Sequence, residues 1–401
     1  MLKAKQPLWT KSFLSVWFSN FFVFLVFYLM FVTLPIYTID VLEVDEGQSG
    51  LIITVFLLAA ILIRPLAGQW IDTIGRKPIV IISLSLFLIS AIFYLFVNSF
   101  VLILIVRFLQ GMGFGMATTV LGALAADVVP DQRKGEGMGY FAMSMNFAMV
   151  LGPFLGLTII HSFSFFSMFM ICALFGAVAF TSGLMIRIPA NFTEKLNPTQ
   201  SFLPRMNGLL EKSIVPIALT GAVMALAYSG VLSFVSVYAK EQGLEAAASY
   251  FFVVYAVVLL ISRPFTGKWF DHYGENIVVI PSIILFGIGM LVLSFANSAP
   301  LLLTAGGLIG LGWGTIVPSF QTIALKKVPN RAGSATATFF TIFDIGIGIG
   351  SYVVGAIATG IGFSSLYFNS SFIIFAAVFI YVALHGRKKS PRTYLETKYS
   401  N

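Results

Sequence analysis

Charge is the first thing this sequence has little of: Asp, Glu, Lys and Arg together make 10% of its 401 residues, against roughly 25% in a soluble domain. A water-facing surface over most of the chain is thereby excluded. Cysteine occurs once, as Cys172 inside an apolar run, which rules out a disulfide framework and a cysteine metal site and leaves the redox compartment open. The phosphate-cradling pattern G-x-x-x-x-G-K-[ST] is missing, which argues against ATP hydrolysis. No metal-ligand cluster or nucleophile–base pairing stands out either, so the chain reads as neither an enzyme nor a cofactor or metal protein. His161 and His272 lie singly near helix ends, as ordinary interfacial residues do. The net charge of +8 does not indicate nucleic acid, because its basic residues sit in short loops and tails between apolar runs.

What is abundant is apolar: 58% hydrophobic residues and 41 Phe. Twelve runs are expected near residues 13–38, 50–67, 78–97, 100–126, 138–161, 165–187, 213–239, 247–265, 277–296, 300–325, 333–359 and 364–385, each near the roughly 20 residues that cross a bilayer as a helix. The first follows Lys3, Lys5 and Lys11 as a signal peptide would, but it is too long and lacks a small-residue cleavage site, so it is read as a helix. With both termini inside, Arg76, Lys77, Arg133, Lys134, Arg187, Lys195, Arg205, Lys212, Lys268, Lys326, Lys327 and Arg331 gather on the cytoplasmic side. The tail residues Arg387, Lys388, Lys389, Arg392 and Lys398 join them, while Asp40, Glu43, Asp45 and Glu46 lie outside with Lys240. This is the positive-inside bias. A multi-pass protein of a bacterial inner membrane is expected, both because of this pattern and because the chain is short without a targeting extension.

The chain is duplicated. Residues 64–81 read R-P-L-A-G-Q-W-I-D-T-I-G-R-K-P-I-V-I, and 199 positions later residues 263–280 read R-P-F-T-G-K-W-F-D-H-Y-G-E-N-I-V-V-I. Gly111, Gly113 and Gly115 answer to Gly310, Gly312 and Gly314, and Pro130 to Pro329. One duplication of half a very apolar chain points to two copies of one membrane bundle, as in transporters built from repeats. The expected fold is all-α, with twelve transmembrane helices in two pseudo-symmetric six-helix bundles. The first bundle is placed at 1–187 and the second at 213–401 with its basic tail, joined by a cytoplasmic linker at 188–212 that is rich in proline and polar residues. Asn191-Phe192-Thr193 in that linker matches a glycosylation sequon by chance. The glycine strips, including Gly346, Gly348 and Gly350, are read as close helix packing.

Polar residues inside such a bundle are costly and informative. Asp344 is the sole carboxylate expected well inside a span; removed from water it favours its neutral form and can take up and release a proton. Allowing one gap, its repeat partner is Asn146. The alternative for Asp344 is a hydrogen-bonded structural acid. Arg64 and Arg263 are expected to snorkel to the inner surface, whereas Arg107 lies too deep for that. Asp72 is expected to receive backbone N–H groups at the start of span three or a positive side chain such as Arg76, with Asp127 a further partner for Arg76. Such a cluster is a conformational latch or, in the plainer reading, a solvated surface pair.

These residues carry a family resemblance. Gly68, Asp72, Gly75, Arg76 and Lys77 resemble the signature loop of the major facilitator superfamily, G-x-x-x-D-x-x-G-R-K. Arg107-Phe108-Leu109-Gln110-Gly111-Met112-Gly113 is similar to its R-x-x-Q-G-x-G motif, and Gly152, Pro153 and Gly156 resemble the G-P-x-x-G motif of its twelve-helix drug:proton antiporters. Thr73, Leu157, Glu275 and Asn276 depart from these patterns, and span one lacks the buried acid several multidrug antiporters use. The resemblance implies a latch role for the signature loop and a proton-transfer role for Arg107. It also implies a central path lined by spans one, four, seven and ten. Asn20, Phe24, Tyr28, Met116, Thr119, Tyr228, Ser233, Phe234, Trp313 and Gln321, with Asn146, are the cavity candidates.

The expected activity is proton-coupled export of a drug-like or amphiphilic organic solute by a protein that works as a monomer in the lipid bilayer. A metabolite exporter or proton symporter for a sugar or metallophore is the alternative. A membrane-embedded enzyme or a sensor is a third reading, but no catalytic cluster or soluble domain is legible.

Overall fold

The computed structural model describes residues 7–44, 51–187 and 210–386. Most of the 188–212 linker, the sequon, the tail cations, and Lys3, Lys5, Asp45, Glu46, Lys195 and Arg205 lie outside the described residues. Among the described residues, twelve helices are long and apolar enough to cross a membrane. They are α1 Lys11–Asp40, α2 Leu51–Thr73, α3 Arg76–Phe93, α4 Phe100–Val128, α5 Lys134–Ser162, α6 Phe165–Leu184, α7 Val215–Glu241, α8 Glu245–Tyr273, α9 Glu275–Ser294, α10 Ala299–Lys327, α11 Ala332–Ile361 and α12 Phe363–Tyr381. The chain is a multi-pass membrane protein, since helices satisfy their own backbone in lipid.

Local chemistry sets several boundaries. The Thr10 hydroxyl accepts the Phe13 N–H at 3.1 Å and starts α1, and Ser164 does the same for α6 through Ser167, both as N-caps. Helices α2 and α8 outrun the expected ends at 67 and 265 and reach Thr73 and Tyr273. Their last turns carry polar residues, but a helical backbone needs no apolar surroundings to keep its hydrogen bonds, so hydropathy marks the lipid layer and not the helix end. Gly75 at φ 110° and Gly274 at φ 93° then turn the chain tightly into α3 and α9, a conformation that favours glycine.

Two compact units emerge. The first comprises Met1–Asp131, Tyr140–Lys212 and Val328–Thr341; the second comprises Gln132–Gly139, Ser213–Lys327 and Ile342–Asn401. In the first, α4 is wedged between α2 and α3. On a helix, positions i and i+4 share a face while i+2 lies almost opposite. A Cβ on Gly111 or Gly115 would accordingly strike the α2 backbone at Phe56 and Ala60, and one on Gly113 would strike α3 at Ser83 and Phe87. The second unit repeats the wedge: Gly310 and Gly314 meet Tyr255 and Leu259 of α8, and Gly312 meets Ser282 and Phe286 of α9.

Candidate functional site

In the first unit the signature loop gathers around Asp72. Its Oδ1 accepts the Gly333 N–H at 3.1 Å and its Oδ2 the Ser334 N–H at 2.8 Å, and the Ser334 hydroxyl donates to Oδ2 as well. The expected donors at the start of α3 are therefore replaced by the start of α11, 261 residues along the chain. The reason is electrostatic: the unpaired N–H groups at the head of a long helix attract a carboxylate. Gly68 makes the approach possible, since a Cβ there would collide with Ala337 and the Gly333 carbonyl. Arg76 bonds Asp127 through Nε at 2.9 Å, with the two side chains only 7% and 4% exposed. Lys77 is exposed.

Arg107 is 2% exposed. Its Nη1 donates to Gln110 Oε1 at 2.9 Å, its Nη2 to the Met30 carbonyl at 3.1 Å, and its guanidinium lies 5.0 Å from the centre of the Phe56 ring. The Tyr94 hydroxyl donates to the same Gln110 oxygen at 3.1 Å. A buried cation held by a carbonyl, an amide and a ring keeps an unneutralised charge, which is expensive.

Gly152 and Gly156 lie against α1, where added Cβ atoms would strike Tyr28, Leu29 and Thr33; Pro153 sits between them within α5. Asn20 is committed to helix pairing, its Nδ2 donating to Ser144 Oγ at 2.7 Å while Ser144 donates to the Phe141 carbonyl at 2.6 Å. Tyr28 is half-buried and stacks on Phe24 at 6.2 Å. Asn146 is buried and its Nδ2 has no partner.

The second unit holds a stack of flat rings. Tyr228 lies 4.3 Å from Trp313 at an interplanar angle of 17°, and Trp313 lies 5.6 Å from Phe343 at 21°. The Tyr228 hydroxyl donates to the Tyr255 hydroxyl at 3.2 Å. Asp344 follows Phe343 directly on α11 and is half-buried. Gln321 is buried on α10 with its Nε2 unpartnered. Sequence reasoning missed Tyr255, Phe343, Gln110 as a clamp for Arg107, and the α11 head that meets Asp72. The motif spacing R-x-x-Q could have shown the third, because positions three apart are neighbours on a helix.

Arg64 and Arg263 correct an expectation. Rather than snorkelling they are 4% and 3% exposed. Each lies eight residues before its loop aspartate, about 12 Å along the helix, and is enclosed by helix packing there. Arg64 donates to Thr118 Oγ1 at 3.1 Å and lies 5.3 Å from the centre of the Phe340 ring.

The Major Facilitator Superfamily profile matches residues 16–351. The chain belongs to the major facilitator superfamily. Among superfamily relatives, an uncharacterised MFS-type transporter of Methanocaldococcus jannaschii is 25% identical over 382 residues, covering 93% of this chain and 98% of that one. The quinolone resistance protein NorA of Staphylococcus aureus is 25% identical over 358 residues, covering 86% and 90%. Solved structures share the fold. The human organic anion transporter MFSD10 matches with a TM-score of 0.77 at 17% identity over 94% of this chain and all of that one. The Escherichia coli fucose:proton symporter FucP matches with 0.76 at 15% identity, over 94% and 98%. This superfamily member is a transporter of small molecules, not an enzyme.

Proposed function

We propose that the protein is a proton-coupled antiporter of the bacterial cell membrane, with both termini cytoplasmic, that works as a single chain and exports a drug-like, amphiphilic organic solute by alternating access. The observation that carries this reading is the Tyr228–Trp313–Phe343 ring stack with Asp344 as the next residue on α11. Flat rings favour a flat apolar solute, each good stacking contact contributing about 0.5–1.5 kcal/mol, and a carboxyl on the same turn of α11 as Phe343 can exchange a proton as the solute binds and leaves. The resemblance of Gly152, Pro153 and Gly156 to the antiporter motif and the likeness to NorA favour export of such a molecule over carriage of a sugar or metallophore.

In this reading Arg107 holds the proton pathway electrostatically, and Asp72 with Arg76 and Asp127 forms the latch. Release of the α11 head from Asp72 accompanies the change of access, because the three hydrogen bonds there are replaceable by water. The test is a vesicle assay with a planar aromatic dye and an imposed proton gradient. Gradient-driven dye movement is expected in the wild type and is expected to collapse with an uncoupler. Asp344→Asn should abolish driven movement yet retain dye binding; driven movement untouched by that change removes Asp344 from coupling. Dye binding unaltered in Trp313→Ala removes the ring stack from recognition.

A further inference from the structure

In the first unit the head of α11 is held twice, by Asp72 on α2 and by Glu211 at the end of the segment that joins the repeats. The Glu211 backbone N–H donates to Thr338 Oγ1 at 2.8 Å, and its carboxylate accepts from Arg331 Nη1 at 2.6 Å. Thr338 is fully buried, and the Glu211 side chain is 16% exposed. The turn Pro329–Arg331 leads directly into α11, so Arg331, Ser334 and Thr338, three and four residues apart, fall along one face. Glu211 thus attaches on either side of Ser334 in the sequence of that face.

Ser334 is where the two holds meet. Its hydroxyl donates to Asp72 Oδ2, and its Oγ accepts from Arg331 Nη2 at 3.3 Å. A serine hydroxyl has one proton and two lone pairs, whereas a guanidinium can only donate. Arg331 therefore takes up a lone pair and leaves the proton for Asp72. The groups form one line, from the carboxylate of Glu211 through guanidinium and hydroxyl to the carboxylate of Asp72.

The other half shows why an acid from outside the helix is needed. A cation at a helix N-terminus opposes the macrodipole, so an arginine there calls for a carboxylate. Counting the one gap between the halves, Arg331 answers to Arg133, Gly333 to Gly135 and Ser334 to Glu136. At the α5 head, Arg133 Nε bonds Glu136 at 2.8 Å, three residues on. At the α11 head that position is Ser334, already spent on Asp72, and the carboxylate comes from Glu211, 120 residues away. An ion pair with an arginine 44% exposed holds little by itself. This one differs because the same arginine orients the hydroxyl that Asp72 accepts.

We propose that Glu211 is a positioning residue for the Asp72 latch, the linker end acting as a strap whose hold on Arg331 sets how firmly the α11 head stays on Asp72. Helix α7 begins at Val215, four residues beyond Glu211, so the strap passes the state of the latch to that helix along the covalent chain. The inference rests on the reading of Asp72 as a latch.

The test is backbone amide exchange in the purified full chain, read by mass spectrometry over the α11 head at 332–339 with the α5 head at 134–141 as control. Asp72→Asn should raise exchange in the α11 head and supplies the reference for a loosened latch. Glu211→Ala should raise it by about threefold or more and Glu211→Asp by less, with the α5 head unchanged in both. Arg331→Gln should act alike and serves where Glu211→Ala fails to fold. Glu211 and Ser334 are linked only through Arg331, so Glu211→Ala with Ser334→Ala should exchange close to the level of Ser334→Ala alone. Exchange unchanged by Glu211→Ala, a rise shared equally by both heads, or a double variant showing the full product of the single effects would overturn the proposal. An α11 head still protected in Asp72→Asn would overturn the latch itself, and this inference with it.

Discussion

The loop after α2 and the loop after α8 began as one sequence, and they have kept one device and inverted another. In both, an aspartate accepts two successive N–H groups at the head of a long helix: Asp72 from Gly333 and Ser334, Asp271 from Gly135 and Glu136. The charge pair beside it has not survived. Where Arg76 bonds Asp127 in a buried bridge, the repeat positions hold Glu275 and Lys326, the same two charges with signs exchanged. These two no longer depend on each other. Glu275 bonds His385 at 2.7 Å, and Lys326 lies 4.6 Å from the centre of the Phe270 ring. A helix head favours a carboxylate whatever surrounds it, whereas an ion pair requires only that its partners match. The aspartate is the part that both copies keep.

The largest expected effect comes from the buried bridge. Asp127→Ala strands Arg76 and should cost about 3–5 kcal/mol, read as thermal unfolding of the purified protein, while Lys326→Ala should stay within about 1 kcal/mol; equal losses would erase the distinction between the loops. Asp72→Ala removes three hydrogen bonds to one carboxylate and should cost about 2–3 kcal/mol, with Asp72→Asn recovering part because one acceptor remains. Asp271→Ala, which loses two such bonds, should cost about 1–2 kcal/mol. Exchanging the bridge to the second-half signs, Arg76→Glu with Asp127→Lys, should be more stable than either single change by about 0.5–3 kcal/mol. A double variant no better than the singles would mean that geometry, not charge matching, holds the pair. The smallest effect is expected at Glu275, which keeps a hydrogen-bonding amide oxygen for His385 after substitution: Glu275→Gln should cost no more than about 1 kcal/mol.

Much of the fold was legible because it is periodic. The twelve apolar runs, the register of Asp72 with Asp271 and the turns at Gly75 and Gly274 depend on composition and spacing along the chain. The glycine strips were legible as packing, though not as a wedge with two opposite faces. Contacts between distant segments were not legible. Nothing near Asp72 in sequence announces Gly333, and nothing near Asn20 announces Ser144. The burial of Arg64 and Arg263 was hidden for a related reason. Hydropathy shows that an arginine lies near the end of an apolar run, but only neighbouring helices decide whether its side chain escapes to water.

The glycine wedge carries one further consequence. Because α4 meets α2 and α3 almost backbone to backbone at Phe56, Ala60, Ser83 and Phe87, there are few intervening side chains to change rotamer, and sliding would drive main chain into main chain. These three helices should move as one stiff plate, as should α8, α9 and α10. Whatever bending the working cycle requires is left to the remaining helices, so softening substitutions outside the plates should alter turnover, and those inside should alter folding yield.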